Sequence, residues 1–479
     1  MATAAVPLLR VDGVGVAAII LLLPPYLGRI PQEASVEAPG TGTRAETPPP
    51  APMGRAALLV RALRSRNYRL FFVGQGISLV GTWMQQLAVG WFVYRLTGSA
   101  LLLGTLGLVS QVPTLLFAPV AGVLADRWNL RRTLVLTQTA ACVQALLLAG
   151  LTLSGLIAVW HIFALSIVLG IINAFDMPTR QAFIPQMIER PEDLQNAIAL
   201  NSSLMNASRL VGPALAGLLI EALGEGLCFL FNGLTYVAVI AALLAMRLPP
   251  RPHPVRATSV GRGLWEGCVY AFGFAPIRTL LLLLALSSLM GMSYGTLMPV
   301  FVRDVLAARA DAFGFLMGAT GLGALAGALY LASRPTVLGL GRLIALGASL
   351  FGFCLVGLSL VRHLLPALIL MVFVGLGMML QIASTNTMLQ TIVDDDKRGR
   401  VMSLYTLAFL GMTPLGSMIA GSLAQRCGAP LAIMVGGACC AAGGLLFALR
   451  LPRLRPLIRP IYIRKGILPA RDGVAVPPR

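Results

Sequence analysis

Gly122 and Asp126 lie four residues apart and are followed by Arg127, Arg131 and Arg132. In a helix that spacing puts the glycine and the carboxylate on one face. Such a carboxylate can hold the N-terminus of a neighbouring helix or an arginine, and either contact breaks when the helices part. An ordinary charged loop would carry the same residues. Asp176 and Arg180 form a second four-residue pair. It can serve as a protonation site or simply close a helix-end ion pair. Enzyme chemistry finds little support. His161, His253 and His363 are scattered. There is no Gly-x-x-x-x-Gly-Lys-Ser/Thr phosphate loop, no His-Glu-x-x-His and no Gly-x-Ser-x-Gly. ATP therefore does not drive the chain directly, and no enzyme activity, cofactor or metal is expected. The seven cysteines include no Cys-x-x-Cys pair and most lie in apolar runs, where they read as small core residues.

The elements that carry these residues follow from composition. Of 479 residues, 57% are hydrophobic and 11% charged. Soluble domains hold about 25% charged residues, so lipid must be the solvent for most of this chain. Twelve apolar runs are long enough to span a bilayer, at about 71–94, 100–124, 133–153, 158–176, 197–220, 226–246, 279–302, 312–332, 342–361, 364–391, 401–425 and 429–449. Their continuity excludes a barrel of short alternating strands. The fold class is therefore an all-α membrane protein of twelve transmembrane helices in two six-helix halves, 54–247 and 279–450. A Pro- and Arg-bearing linker, 248–278, joins the halves, and 451–479 forms a basic tail.

The charges set an orientation. With both termini cytoplasmic, inner segments from residue 54 onward hold 28 Lys and Arg, and outer loops hold 5. That is the positive-inside pattern, and it accounts for the +19 net charge without nucleic acid. The tail arginines can also meet anionic headgroups, though topology alone explains them. Residues 1–53 contain one short apolar stretch and a Pro/Gly/Thr/Glu-rich stretch. They read as a disordered extension, a signal-like segment or an untranslated start, with Met53 the favoured true start.

The halves repeat. At an offset of 204, Gln186 meets Gln390, Ile188 meets Ile392, Leu200 meets Leu404, Gly212 meets Gly416, Ala216-Gly217 meets Ala420-Gly421, and Gly224 meets Gly428. Parallel six-helix repeats are a transporter architecture with a site at the midplane between them.

The 122–132 loop resembles the signature of the major facilitator superfamily, Gly-x-x-x-Asp-Arg/Lys-x-Gly-x-Arg/Lys-Arg/Lys. Asn129 stands for the second glycine, and asparagine tolerates the left-handed conformation of a tight turn expected at that position. The equivalent loop of the second half, from Gly327, has no aspartate. The resemblance covers about residues 60–450. Asp176-Met-Pro178-Thr-Arg180-Gln181 and Arg209-Leu-Val-Gly212-Pro213-Ala-Leu-Ala-Gly217 are similar to a bacterial efflux branch that includes macrolide-type drug exporters and an enterobactin exporter. The second stretch resembles the antiporter signature, with Gly212, Pro213 and Gly217 as a helix 5 hinge. Pro213 removes a backbone donor and small neighbours admit close packing, which also suits ordinary helix contact.

Arg209 falls in mid-run, where a charge costs about 2.5–3.5 kcal/mol on insertion scales. Two readings stay open: a site for an anionic substrate or a carboxylate partner, and a structural bond to nearby carbonyls or amides. No run has a central carboxylate, and the first run carries Gln75, Gln85 and Gln86 instead. Asp176 is the best protonation candidate. The resemblance implies a cavity bordered by runs 1, 4, 7 and 10, hence by Gln85, Gln86, Asn173, Tyr294, Gln381 and Asn386; each can equally be an inter-helix link.

The expectation is a secondary transporter of the bacterial inner membrane, working as a monomer by alternating access. It exports amphipathic small molecules such as drugs or siderophores, with protons as the coupling ion. One alternative is a carrier of anionic metabolites or lysolipids that uses Arg209. From another class, the chain could be a non-transporting membrane receptor or scaffold.

Overall fold

The computed structural model describes residues 60–125, 128–247 and 260–469. Twelve long helical segments cross the molecule in alternating directions. They are α1 Arg66–Thr97, α2 Ala100–Ala125, α3 Leu130–Leu153, α4 Val159–Met187, α5 Leu194–Leu223 and α6 Glu225–Ala245. After the linker come α7 Ala275–Val305, α8 Ala310–Ala332, α9 Leu340–Leu360, α10 Leu364–Ile392, α11 Arg398–Cys427 and α12 Ala429–Arg464. The start of α1 and the end of α12 share one end of the bundle, here called the near end.

Eleven of the twelve are apolar enough to be recognised as spans by hydropathy; α1 is the exception. Its 32 residues reach about 48 Å, ample for a bilayer. Its hydropathy is low because it carries amides and hydroxyls that the bundle pairs internally. Gln85 donates to Gln144 of α3 at 3.1 Å and accepts from Asn232 of α6 at 2.7 Å. Lipid meets side chains such as Leu136, Leu365 and Leu449 instead, which lie open on the outer surface.

The repeat seen in the sequence is a repeat of packing. In the first half α2 packs on α4, α3 on α4 and α6, and α1 on α5 and α6; in the second half α8 packs on α10, α9 on α10 and α12, and α7 on α11 and α12. The halves meet along two seams, α5 on α8 and α2 on α11. Gly224 and Gly428, matched at the 204 offset, both have φ +84° and end α5 and α11. No side chain is comfortable there, which is why glycine stands at both.

Three features lie outside the sequence expectations. The helical path is interrupted by π-helical turns at Ser287–Gly291 and Phe301–Val305 in α7 and at Leu407–Gly411 in α11. The expected linker contains a helix, Val260–Gly273, and α7 starts earlier than expected. That helix docks on the second half: the Tyr270 hydroxyl donates to Asp394 at 3.0 Å, and Lys397 covers the Tyr270 ring at 4.6 Å. Burial beside Asp394 pushes the Tyr270 phenol pKa up. Finally, α12 continues to Arg464 with Leu451, Leu454, Ile458 and Tyr462 buried, so the start of the basic tail is an ordered helix.

Asn129 corrects an expectation. It is not left-handed: at φ −69°, ψ 105° it is the N-cap of α3, and its side chain accepts from the Arg132 amide at 3.1 Å. Asparagine serves here by filling an orphan donor. Asn129→Ala is expected to lose about 1 kcal/mol of stability, read as a small fall in the thermal unfolding midpoint in detergent.

Candidate substrate crevice and its gates

At the end opposite the near end, the far end, polar contacts tie the halves together. The Tyr94 hydroxyl donates to Asp304, and the Arg303 guanidinium lies over the Tyr94 ring, 5.7 Å from its centre. Arg309 pairs with Glu221. Ser99 Oγ and the Leu101 amide both donate to Gln425 Oε1, at 3.1 and 3.3 Å. Trp91 stacks on Phe313 with ring centres 6.1 Å apart. Glu225 is buried beside Arg95 at 2.9 Å within the first half.

Beneath these contacts each seam closes on a pair of glycines. A Cβ built on Gly217 would stand 2.7 Å from the Ala310 carbonyl oxygen and 2.9 Å from the Gly314 Cα. One built on Gly314 would stand 2.5 Å from the Pro213 carbonyl oxygen. The other seam repeats this: a Cβ on Gly104 would meet the Ser417 carbonyl oxygen at 2.5 Å, and one on Gly421 would meet the Ala100 carbonyl oxygen at 2.6 Å. Only glycine lets the backbones approach so closely.

The α5–α8 contact continues to Leu210, where a Cβ on Gly321 would stand 2.9 Å from the Leu210 Cα, and nearer the near end α5 becomes more exposed. Along one face of α5, Ser202 is exposed, Asn206 and Arg209 are half-buried, and Pro213, Ala216 and Ile220 are buried. Val211, Leu215 and Leu218 occupy the opposite face, toward lipid. Exposure along the inner face therefore falls from the near end to just beyond Arg209, as it would along a crevice entered from the near end.

Arg209 lies midway along α5, with its guanidinium 4.9 Å from the centre of the Trp83 ring of α1. Tyr294 of α7 is buried, edge-on to Phe351 with ring centres 6.2 Å apart. Among the described residues no carboxylate pairs with Arg209.

Asp176 is a different kind of charge. It is 1% exposed, inside the first half, between α4 and α3. It accepts from Thr137 Oγ1 at 2.9 Å and from Gln138 Nε2 at 2.7 Å, and pairs with Arg180 one turn on. The nitrogen Arg180 Nε and the oxygen Gln138 Oε1 are buried with no hydrogen-bond partner among the described residues. Such a cluster depends strongly on the charge of Asp176.

The remaining sequence candidates divide. Gln85 and Gln381 are 3% and 1% exposed and link helices within their own halves; Gln381 donates to Ser287 Oγ at 2.7 Å. Gln86 is exposed and Asn173 half-buried. Asn386 is half-buried and accepts from Gln390 at 2.5 Å. Asp126 and Arg127 lie outside the described residues. Gly122 has none of the described atoms within 4 Å of a Cβ built there. Arg131 donates to the Leu243 and Leu244 carbonyls at 2.8 Å each, capping α6 at its C-terminus. Arg132 is exposed. Gly212 packs against α1, where a Cβ would meet Trp83 Cβ at 2.6 Å, and Pro213 faces Gly314.

Sequence reasoning did not find the Tyr94–Asp304 contact or the role of Gly104 and Gly314. A signal for the glycines was present: Gly104 and Gly314 stand at corresponding places in α2 and α8, as Gly217 and Gly421 do in α5 and α11.

Two pseudo-equivalent six-helix halves around a central crevice define a multi-pass membrane transporter of the major facilitator fold. Residues 60–457 match the transmembrane secretion effector family, and the chain belongs to that family, within its bacterial efflux branch. It is 27% identical over 357 residues to the staphyloferrin A transporter of Staphylococcus aureus, covering 73% of this chain and 88% of that protein. It is 24% identical over 400 residues to macrolide efflux protein A of Streptococcus pyogenes, covering 76% and 91%. Among solved structures, a bacterial homologue of the lysosomal transporter Spinster, in an inward-facing unoccupied conformation, shares the fold with a TM-score of 0.60 at 16% identity. That match covers 85% of this chain and 99% of the other.

Proposed function

We propose that the protein is a proton-coupled exporter of amphipathic small molecules in the bacterial inner membrane. The observation that carries this reading is the asymmetry of the crevice: open at the near end, sealed by glycine seams and polar contacts at the far end. The segments that the sequence assigns to this side hold 28 of the Lys and Arg, which supports reading it as the cytoplasmic side. Cargo enters from that side. The halves then rock, closing the near end and opening the far end, as parallel-repeat transporters do. One chain supplies both halves, so a monomer suffices.

In this reading the 122–132 loop acts in the opposite state. Gly122 has no close neighbour among the described residues; when the near ends meet, Gly122 admits a helix and Asp126 holds it, with Arg127, Arg131 and Arg132 completing the motif. Gly212, Pro213 and Gly217 let α5 tilt against α1 and α8. Asp176 is the proton site, since its partners Thr137, Gln138 and Arg180 must rearrange when its charge is removed.

Proton flux tests the coupling. Inverted membrane vesicles carrying the protein are energised, then given cationic dyes, macrolides or catecholate siderophores. At least one class is expected to dissipate the pH gradient, and Asp176→Asn to abolish that effect. Labelled cargo that crosses while the gradient never moves would remove proton coupling from the account.

A further inference from the structure

The sequence left open whether Arg209 pairs with a carboxylate, bonds to backbone or meets a substrate. The structure narrows the choice. Its guanidinium has no ion pair or hydrogen bond among the described residues, and its one close partner is the Trp83 ring at 4.9 Å. None of its nitrogens is both sealed and unpartnered among the described residues, so each keeps some exposed surface. The carboxylates nearest the spans are engaged elsewhere: Asp176 by Arg180, Glu221 by Arg309, Glu225 by Arg95 and Asp304 by Tyr94. Among the described residues no carboxylate pairs with Arg209 at mid-membrane depth, where charges otherwise find a partner or line a pathway.

The surroundings define what the missing partner looks like. Arg209 stands where the α5 inner face passes from exposed to buried, at the floor of the crevice. A planar guanidinium presents a fork of donors that matches a carboxylate or a phosphate. An aromatic ring over one face fixes its orientation, and the half-buried Trp83 supplies flat apolar surface for the rest of a ligand. Irregular backbone near Tyr294, after the π turn Ser287–Gly291, fits a place where the chain lines a cavity.

We propose that Arg209, backed by Trp83, binds the oxyanion of an amphipathic organic anion, and that this anion class is the cargo. The proposal rests on the transport reading above and narrows its substrate class. It also places the cargo's charged group at mid-membrane depth, against α5 and α1 of the first half.

The test uses three probes with one aromatic body: 2-naphthoate, 2-naphthyl phosphate and the neutral 2-naphthamide. Binding to the purified full-length protein is measured by equilibrium dialysis. Wild type is expected to bind an anionic probe at least about tenfold more tightly than the amide, the size of a charge-assisted contact. Preference for the phosphate over the carboxylate would assign a phosphate-bearing cargo, and the reverse a carboxylate. Arg209→Gln is expected to reduce anion affinity to that of the amide while leaving amide affinity unchanged, which also shows that the variant is folded. If the amide is lost too, Arg209→Lys decides, with at least a threefold anion preference expected. Equal binding of anions and amide by wild type, including no binding by any probe, overturns the proposal. So does an anion preference that survives Arg209→Gln. In reconstituted vesicles, export of ethidium in spite of that result would leave the transport reading standing; failure to move any probe or dye would overturn it as well.

Discussion

Gly314→Leu is expected to stop transport while the protein still folds and inserts. The leucine Cβ would start 2.5 Å from the Pro213 carbonyl oxygen and 2.9 Å from the Gly217 Cα. Neither atom belongs to a side chain that can swing away. Both lie in the other half, so the clash acts between two separately packed units. Overpacking of this kind costs about 1–3 kcal/mol or more, and here the cost falls only on the far-end-closed state. The equilibrium then shifts toward the far-end-open state by roughly 5- to 150-fold. Gly104→Leu on the other seam should do the same, because its Cβ would meet the Ser417 carbonyl oxygen at 2.5 Å. Transport assays and size-exclusion profiles check both variants. Near-normal transport by either would mean that the glycine seams are not the gate.

The second large effect is expected at Asp176. Arg180→Ala leaves a carboxylate at 1% exposure with only Thr137 and Gln138 as donors. Breaking a buried pair from one side costs about 3–5 kcal/mol. The double variant Asp176→Asn with Arg180→Gln is expected to regain most of that loss, since it leaves no unpaired charge. Thermal unfolding of the single and double variants measures the difference. A double variant that is stable yet moves no protons would separate the coupling role from the packing role. A double variant no more stable than Arg180→Ala would show that the cluster needs its charges for structure.

The sequence made eleven spans legible because lipid demands about twenty apolar residues in a row. It also gave away α1, whose polar residues thin the hydropathy signal, because the run from 71 to 94 is still long and free of charge. The depth of Arg209 was readable for the same reason. The repeat showed in Gly217 and Gly421, since close backbone contact restricts those positions to glycine. Partners were harder. Tyr94 and Asp304 are more than two hundred residues apart, and nothing local marks them as neighbours. The direction in which Gln85 and Gln381 face depends on helix rotation within each half, so a polar residue in a span could not be assigned to crevice or core. Asn129 was assigned to a turn because a glycine was expected at that place. Its actual use, capping the helix that begins one residue later, needed the backbone angles.

The most direct test of rocking halves needs no cargo. Spin labels are placed across the far end at Ser99 and Gln425, and across the near end at Ile198 and Tyr330, both largely exposed. Pulsed electron–electron resonance then reads each distance in wild type and in Gly314→Leu. The account predicts a short far-end and a long near-end distance as the main wild-type population, with the variant lengthening the first and shortening the second together. A far-end distance that lengthens while the near end stays unchanged, or two distances that never move, would contradict alternating access by rigid halves.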